Sequence, residues 1–440
     1  MIRLTTLIVL LLVAGGAAFA GYALYTLEGT VEIAVPGTTL SLPLGLALLL
    51  GLLLAGVIAA VWWVATGLLT LPLSFGRARK AGRARKANRA LAEGLLAAEA
   101  GDARAAYKLL RKAAPHAEDE RLKLLLEARA AEANEDWAEA ERAWGQLMRL
   151  PGGQLAGLRG AAAAAIARGD TTIAQTRAKQ ALDLKSGADW PFNSLFDLQV
   201  SQGRWASALE TLAAGARRGA IRGERLNRRR AVLMTAHAAG LGPNRRSEAQ
   251  KSLAEAIRLA PDFPPSAWHG ARHLIADGKI KAAQSVLELS WKARPHPAVA
   301  HLAGRELPGE GPRAAEMRLD ALIAAHPGHR ESRILVAERA MQKRDWINAV
   351  RELALLIEEK PTARLCQLLA RALKGYGDTA EADRWARTAA TAAREADWSD
   401  LDPRGGAFDY GTRDWSRLVY AFGDTGELVH PRHEGFHREL

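Results

Sequence analysis

Asn134-Glu-Asp-Trp-Ala-Glu-Ala-Glu-Arg-Ala-Trp-Gly-Gln-Leu-Met148 decides the fold, because its opening turn and the alanine behind that turn return along the chain at a nearly fixed distance. Gly101-Asp102 leads into Ala106, Glu135-Asp136 into Ala140, Gly169-Asp170 into Ala174 and Gly203-Arg204 into Ala208, so the four alanines follow one another at a constant step of 34. Continuing the register gives Ala249, Ala283, Ala315, Ala349 and Ala382, at steps of 41, 34, 32, 34 and 33. A period of this length is the mark of stacked helical repeats.

Two further columns agree with the register. Twelve residues ahead of the alanines stand Gly94, Ala128, Ala162, Phe196, His237, Ala271, Ala303, Ala337 and Ala370, seven of them small; twelve residues behind stand Pro261, Pro295, Pro327 and Pro361. Two antiparallel helices joined by a short turn approach closely only where side chains are small, and proline lacks the N–H that would continue a helix. Trp137, Trp205 and Trp346 recur just after the turn, where a large ring covers a junction. The pattern predicts an all-α solenoid of about nine helix pairs of the tetratricopeptide (TPR) type over residues 90–396. Cys366, the single cysteine, falls on the first helix of a pair as a small apolar residue. Alone it makes neither an internal disulfide nor a CxxC zinc site, which favours a reducing compartment.

In front of the array, residues 1–76 carry only Arg3, Glu28 and Glu32 as charges. Leu4–Tyr25 is an uncharged apolar run of 22 residues, about 33 Å as a helix and long enough to cross a bilayer. Ala18-Phe19-Ala20 also has the form of a signal-peptidase site, but one arginine is a thin n-region and the run is long for a signal peptide, so a retained helix is the expectation. Leu44–Leu71 is a second span, carrying Trp62 and Trp63 near its far end and expected to end at Pro72. Thr30–Leu42, two alternating segments joined at Pro36-Gly37, reads as a hairpin outside the bilayer. The basic juxtamembrane stretch 77–89 follows, with Arg77, Arg79, Lys80, Arg83, Arg85, Lys86 and Arg89 and no acidic residue, out of a formal net charge of +12 for the chain. The positive-inside rule puts this stretch and everything after it in the cytoplasm of a multi-pass inner-membrane protein, and its cations suit anionic lipid. The high pI is therefore a local feature, and no basic body of the kind that binds nucleic acid is expected.

The step of 41 implies about seven extra residues before Ala249, and that region holds Arg217, Arg218, Arg222, Arg225, Arg228, Arg229 and Arg230. Such a run reads as a solvated face; its sharper reading is an anion-binding patch in which Arg222, Arg225 and Arg229 grip a partner's carboxylates. His269 and His273 have the i, i+4 spacing that sets two imidazoles on one helical face, as candidate haem ligands or as packing residues. His430, His433 and His437 form a looser group in a tail. The sequence holds no phosphate-binding loop, no dinucleotide fingerprint, no nucleophile elbow and no HExxH, so neither an enzyme nor a metal site is expected. Residues 397–440 leave the period for an aromatic stretch with Trp398, Phe408, Tyr410, Trp415, Tyr420 and Phe422. Residues 397 to about 425 are expected to cap the last helix pair, with an untethered tail behind.

Two N-terminal spans, a basic stretch and then Asn88-Arg-Ala-Leu-Ala-Glu-Gly-Leu-Leu-Ala-Ala-Glu-Ala-Gly-Asp-Ala-Arg-Ala-Ala-Tyr-Lys-Leu-Leu-Arg-Lys-Ala-Ala114 make a chain that resembles the HemY family of proteobacterial haem-biosynthesis-associated proteins. The resemblance implies an inner-membrane TPR protein that organises or regulates haem-pathway enzymes through its concave face. A flavin-dependent protoporphyrinogen oxidase shares that name, but its dinucleotide fingerprint is missing here. Some relatives carry a paired-cysteine knuckle near the C-terminus; with no cysteine there, zinc is not implied for this chain. Two other expectations stand beside the scaffold: direct haem or porphyrin handling, and an envelope-assembly adaptor of the lipopolysaccharide-control kind, which shares the anchored-TPR plan.

Overall fold

The register alanines lead directly to the architecture. The computed structural model describes residues 28–184, 187–307, 310–395 and 407–433, with backbone alone at 34, 35, 38, 66–78 and 312, and a few residues of the first apolar run. In that run Gly16, Phe19 and Gly21–Ala23 are helical; the rest of the expected first span lies outside the described residues, as does His437.

The chain divides into two compact units, Met1–Glu135 and Asp136–Leu440. The first opens with an antiparallel hairpin of β1 (Thr30–Val35) and β2 (Thr38–Pro43), in which Thr30 pairs with Pro43 and Val35 with Thr38. The turn is Pro36-Gly37, and Gly37 takes a φ of 107°. Lacking a Cβ, glycine meets no steric penalty in that conformation. The strand passes straight into α1 (Leu44–Glu99), a single helix of 56 residues. Its segment Leu44–Ala65 is long and apolar enough to cross a membrane and is almost wholly exposed.

Pro72 does not end this helix. A proline removes one backbone bond, and with apolar and then helix-favouring sequence on both sides the helix carries through to the first repeat. Arg79, Lys80, Arg83, Arg85, Lys86 and Arg89 all face solvent while Ala84, Ala87, Ala90 and Leu91 turn inward. The charged stretch and the first repeat's inner face are thus two sides of one helix; the Arg77 side chain lies outside the described residues. Against the inner side pack α2 (Ala103–Ala113) and α3 (Glu120–Ala133). Gly94 is the point of closest approach: a Cβ there would stand 2.6 Å from Cδ2 of Leu126.

The second unit runs through α4 (Trp137–Leu147), α5 (Gln154–Ala167), α6 (Thr171–Asp183), α7 (Trp190–Ser201), α8 (Trp205–Arg218), α9 (Gly223–Ala239), α10 (Arg246–Leu259), α11 (Pro264–Ala276), α12 (Ile280–Ala293), α13 (Pro297–Ala303), α14 (Pro312–Ala325), α15 (Arg330–Gln342), α16 (Trp346–Glu359), α17 (Ala363–Tyr376), α18 (Thr379–Thr391) and α19 (Thr412–Tyr420). All nine register alanines fall in the even-numbered helices α2 to α18, and none is more than 9% exposed. We number the repeats 1 to 9 by these alanines. Cys366 is fully buried on α17.

The turn has a common chemistry. Gly101, Glu135, Gly169, Gly203, Gly278, Arg344 and Gly377 all adopt positive φ, and the residue after each stands at the N-cap position of the second helix. Asp102, Asp136, Asp170, Asp345 and Asp378 accept the backbone N–H three residues on, at 2.9 to 3.3 Å, which satisfies a donor that has no partner within the helix. Of the tryptophan column, Trp346 closes the joint to the following repeat: a Cβ on Gly375 of α17 would stand 2.6 Å from Cε3 of Trp346. The extra residues of repeat 5 lengthen α9 to 17 residues and its connection to α10 to Gly240–Arg245.

Of the expected cap, residues 397–406 lie outside the described residues, and the described remainder does not sit on the last pair. Residues 407–433 fold back onto the middle of the array, where α19 packs on α7 and α9 and Phe408 packs on Trp268 of α11. The stretch expected to be an untethered tail is docked as far as the described residues reach: Arg294 donates to the Gly426 carbonyl (2.7 Å), Arg417 to that of Pro431 (2.6 Å), and His430 is buried. The reason is specific partners in repeats 4 to 6, which a terminal helix pair does not offer.

Candidate functional site: a cleft walled by the C-terminal segment

The docked segment encloses a cleft of about 680 Å³ with the end of α9, the Gly240–Pro243 connection and α11. Both histidines of the i, i+4 pair line it, as do Arg246 and Arg272; the far wall is Phe408, Tyr410 and Trp415. Helix α11 begins at Pro264-Pro265, and its buried face carries Ser266, Ala267 and Ala271. The fixed φ of proline suits a first turn, where its missing N–H costs nothing. His269 and His273 lie one turn apart on the side that looks toward the segment.

The two imidazoles differ. His269 is largely buried; burial first, and then the Arg272 guanidinium, push its pKa down to about 4, against a hydrogen bond to the Phe408 backbone that pulls the other way. Among the described residues its buried Nε2 has no hydrogen-bond partner. A neutral imidazole nitrogen placed in this way can accept a hydrogen bond or ligate a metal. His273 is half-buried and also shifted down, by burial and then by Arg246 and Arg272. Arg246 is engaged by Asp277 (2.9 Å) and by the His273 carbonyl (3.0 Å). Arg272 lies over the Trp268 ring, 4.5 Å from its centroid.

The arginines of the extra stretch have different work. Asp424 accepts Nε of Arg229 at 2.8 Å and Nε of Arg225 at 3.0 Å, and Arg228 donates to its carbonyl at 3.2 Å. Burial alone would raise the Asp424 pKa; its bonds to Arg229 and then Arg225 hold it below the usual carboxylate range. The buried Arg229 guanidinium also sits 5.2 Å from the ring centres of both Phe196 and Tyr420. Arg225 and Arg229 thus form a clasp for the chain's own carboxylate, while Arg222 is exposed and lies against Gly219. Further attachments are Ser416 Oγ to the Val200 carbonyl (2.7 Å), the Tyr420 hydroxyl to Asp197, and Phe422 stacked on Phe263 with centroids 4.6 Å apart. The sequence pattern finds His269, His273 and the arginines, but not that Asp424, Phe408 and Tyr410 meet them. The aromatic residues behind the array are the one signal of such a contact.

Paired helices at a recurring step of 34, continuous with an exposed apolar helix, define a TPR-type repeat protein with the elements of a membrane anchor. The family described as HemY protein N-terminus matches residues 29–135, which supports membership of the HemY family. Among curated proteins the chain is similar to one described as "Probable magnetosome protein Mms48" from Magnetospirillum gryphiswaldense, 24% identical over 205 residues, 46% of each chain. The chain thus spans about half the length of that relative. Similar solved structures include Naa15/Naa10 bound to HypK-THB (TM-score 0.34, 14% identity, 76% of this chain and 60% of that one). Another is the APC/C hetero-tetramer Cut9-Hcn1 (TM-score 0.25, 16% identity, 72% and 60%).

Proposed function

We propose that this chain is a membrane-anchored, non-catalytic scaffold whose repeats hold haem-biosynthesis enzymes at the cytoplasmic face of the inner membrane. The observation that carries the reading is the unbroken α1: an apolar helix, a strip of six outward cations and the inner face of repeat 1 are one continuous helix in a region that matches the HemY N-terminus. A helix of that kind fixes the start of the array next to an anionic leaflet, with lipid headgroups meeting Arg79, Lys80, Arg83, Arg85 and Lys86. Co-purification from detergent-solubilised membranes tests the partner: recovery of ferrochelatase or a neighbouring enzyme of the pathway supports the scaffold, and recovery of unrelated complexes alone refutes it.

One observation favours a second reading, direct haem or porphyrin handling. The Nε2 of His269 has no partner and stands at an aromatic cleft that Arg272 and Arg246 also line. That combination suits a planar ligand with acidic substituents. In that reading His269 would ligate the iron, a Lewis acid, and Arg246 and Arg272 would meet the propionates. Titration with haemin checks it: His269→Ala removes a Soret shift that His273→Ala retains. A shift that survives His269→Ala refutes the assignment.

A further inference from the structure

We infer that the first helices of repeats 4 to 6, α7, α9 and α11, form a partner-docking face that the chain's own C-terminal segment occupies, and that the partner it fits is a peptide carrying aromatic side chains followed by a carboxylate. The inference rests on the scaffold reading and says where, and by what chemistry, the scaffold holds a partner.

The occupant itself shows what the face recognises. Tyr420, Phe422 and Asp424 stand at every second position, and each has its own receptor. The Tyr420 ring meets Phe196 edge-on at 6.4 Å while its hydroxyl donates to Asp197. Phe422 is fully buried, stacked on Phe263 with the Arg294 guanidinium 5.8 Å from its centroid. Asp424 is held by the Arg225–Arg229 clasp. A buried, doubly bonded arginine needs a carboxylate opposite it, because an unpaired guanidinium there carries a large desolvation cost. Either the segment or an equivalent acid must fill that position.

The segment is also a short peptide laid on repeats that have joints of their own. Ala208, Ala249 and Ala283 of these repeats are buried on the second helix of each pair. The segment adds one short helix, a π turn and an extended run, and its Trp415, Leu418, Val419 and Phe422 join the core of Phe196, Val232 and Phe263. Such an occupant competes by effective concentration. Tethered peptides reach roughly millimolar values, so a site with an intrinsic Kd of about 10 μM stays about 99% filled in cis, and a free peptide of the same sequence binds about 100-fold more weakly than to the open face.

The test uses the full-length chain in detergent and a fluorescein-labelled peptide of residues 407–433 as the probe, read by anisotropy. Asp424→Lys in the chain breaks the clasp in cis, and the unaltered peptide is expected to bind this variant at least tenfold more tightly than the wild-type chain. A peptide with Asp424→Lys, or with Phe422→Ala, is expected to lose that binding. Phe422→Ala in the chain is the second variant: it keeps the carboxylate, weakens the stack and gives the same gain for the unaltered peptide. Hydrogen exchange across 412–424 reports release of the tethered segment. If it is released and neither variant binds the peptide better than wild type, or if the Asp424→Lys peptide binds equally well, the face has no such specificity. If exchange is unchanged in both variants, the clasp and stack do not seat the segment and the inference fails. Recovery of a haem-pathway enzyme by the wild-type chain alongside a negative peptide result keeps the scaffold and removes only this face as its docking site.

Discussion

Gly160→Ala and Gly145→Ala are the same chemical change on neighbouring helices, and the structure gives them opposite signs. Gly145 lies on α4 with nothing within 4 Å of a built Cβ, so alanine there gains helix propensity, about 1 kcal/mol, at no steric cost. Gly160 lies on α5 against the indole of Trp144, which is 1% exposed; a Cβ would stand 2.1 Å from Cε2 and 2.2 Å from Cδ2. Carbon atoms pack at about 3.5–4 Å, so the ring must move by more than an ångström in a close-packed junction. An indole cannot rotate its far end away as a leucine can, which puts the cost near the top of the usual overpacking range, about 3 kcal/mol. Subtracting the same propensity gain of about 1 kcal/mol leaves Gly160→Ala destabilised by about 2 kcal/mol. A repeat array opens locally, so hydrogen exchange of the α4 and α5 amides is the direct assay. Gly160→Ala is expected to speed it about 30-fold and Gly145→Ala to slow it about fivefold, since about 1.4 kcal/mol is tenfold. Protection that rises in both variants would show that Gly160 is not the contact between these helices.

Three other outcomes follow from the same geometry. Asp170 accepts from the Ile173 N–H, whereas α12 has no such cap. Asp170→Ala should therefore cost about 1 kcal/mol, seen as faster exchange in the first turn of α6 but not of α12. Arg344 is a non-glycine residue with a φ of 61°. Arg344→Gly should stabilise α15–α16 by about 0.5 kcal/mol, the strain released less the greater freedom of the unfolded glycine; a loss in the urea midpoint refutes it. Between pH 6.5 and about 4 the unfolded chain protonates His269 and the folded chain does not. Stability should therefore be full above the ordinary histidine pKa and fall on acidification, by at most about 1.4 kcal/mol per pH unit for this proton. The buried His296, also shifted down, adds to the slope in the same direction, so His269→Phe should flatten the urea midpoint against pH by one proton and leave the His296 part.

The array was legible because each joint states its demands locally. Asp136 caps the helix it precedes, Ala140 is small and fully buried, and Trp346 lies on the next repeat, so residue type and spacing carry the same information as the contacts. Pro72 misled for the opposite reason: one breaker is a local signal, and the long helix around it overrides it. The C-terminal segment left no periodic trace. Arg225 and Asp424 stand 199 residues apart, and a contact of that span gives neither partner a pattern to share. On sequence alone the arginines look like a free cationic patch; in the fold Arg225, Arg228, Arg229 and Arg230 are satisfied within the chain. The histidine spacing was visible for a reason that periodicity supplies, but the wall opposite it came from that same distant segment.

In the haem-handling reading, that shared wall would couple the two sites. Phe408, Tyr410 and Trp415 bound the cleft, and α19, which begins at Thr412, runs on into the Tyr420–Asp424 contacts over α7 and α9. A ligand seated between His269 and Tyr410 binds the docked segment and not the released one, so it holds the segment down by RT ln(1 + [L]/Kd), about 2.7 kcal/mol at a hundredfold excess over Kd. By reciprocity, a peptide that displaces the segment from α7 and α9 without bringing Phe408, Tyr410 and Trp415 weakens the cleft ligand by the same factor. Haemin near saturation should then lower the affinity of a labelled 416–433 peptide, which lacks those three residues, for the wild-type chain by about 100-fold, and leave that of the 407–433 peptide unchanged. His269→Ala should abolish that effect. Haemin and the shorter peptide binding independently to one molecule would mean that the cleft keeps its ligand without the wall, and the two sites would have to be read apart.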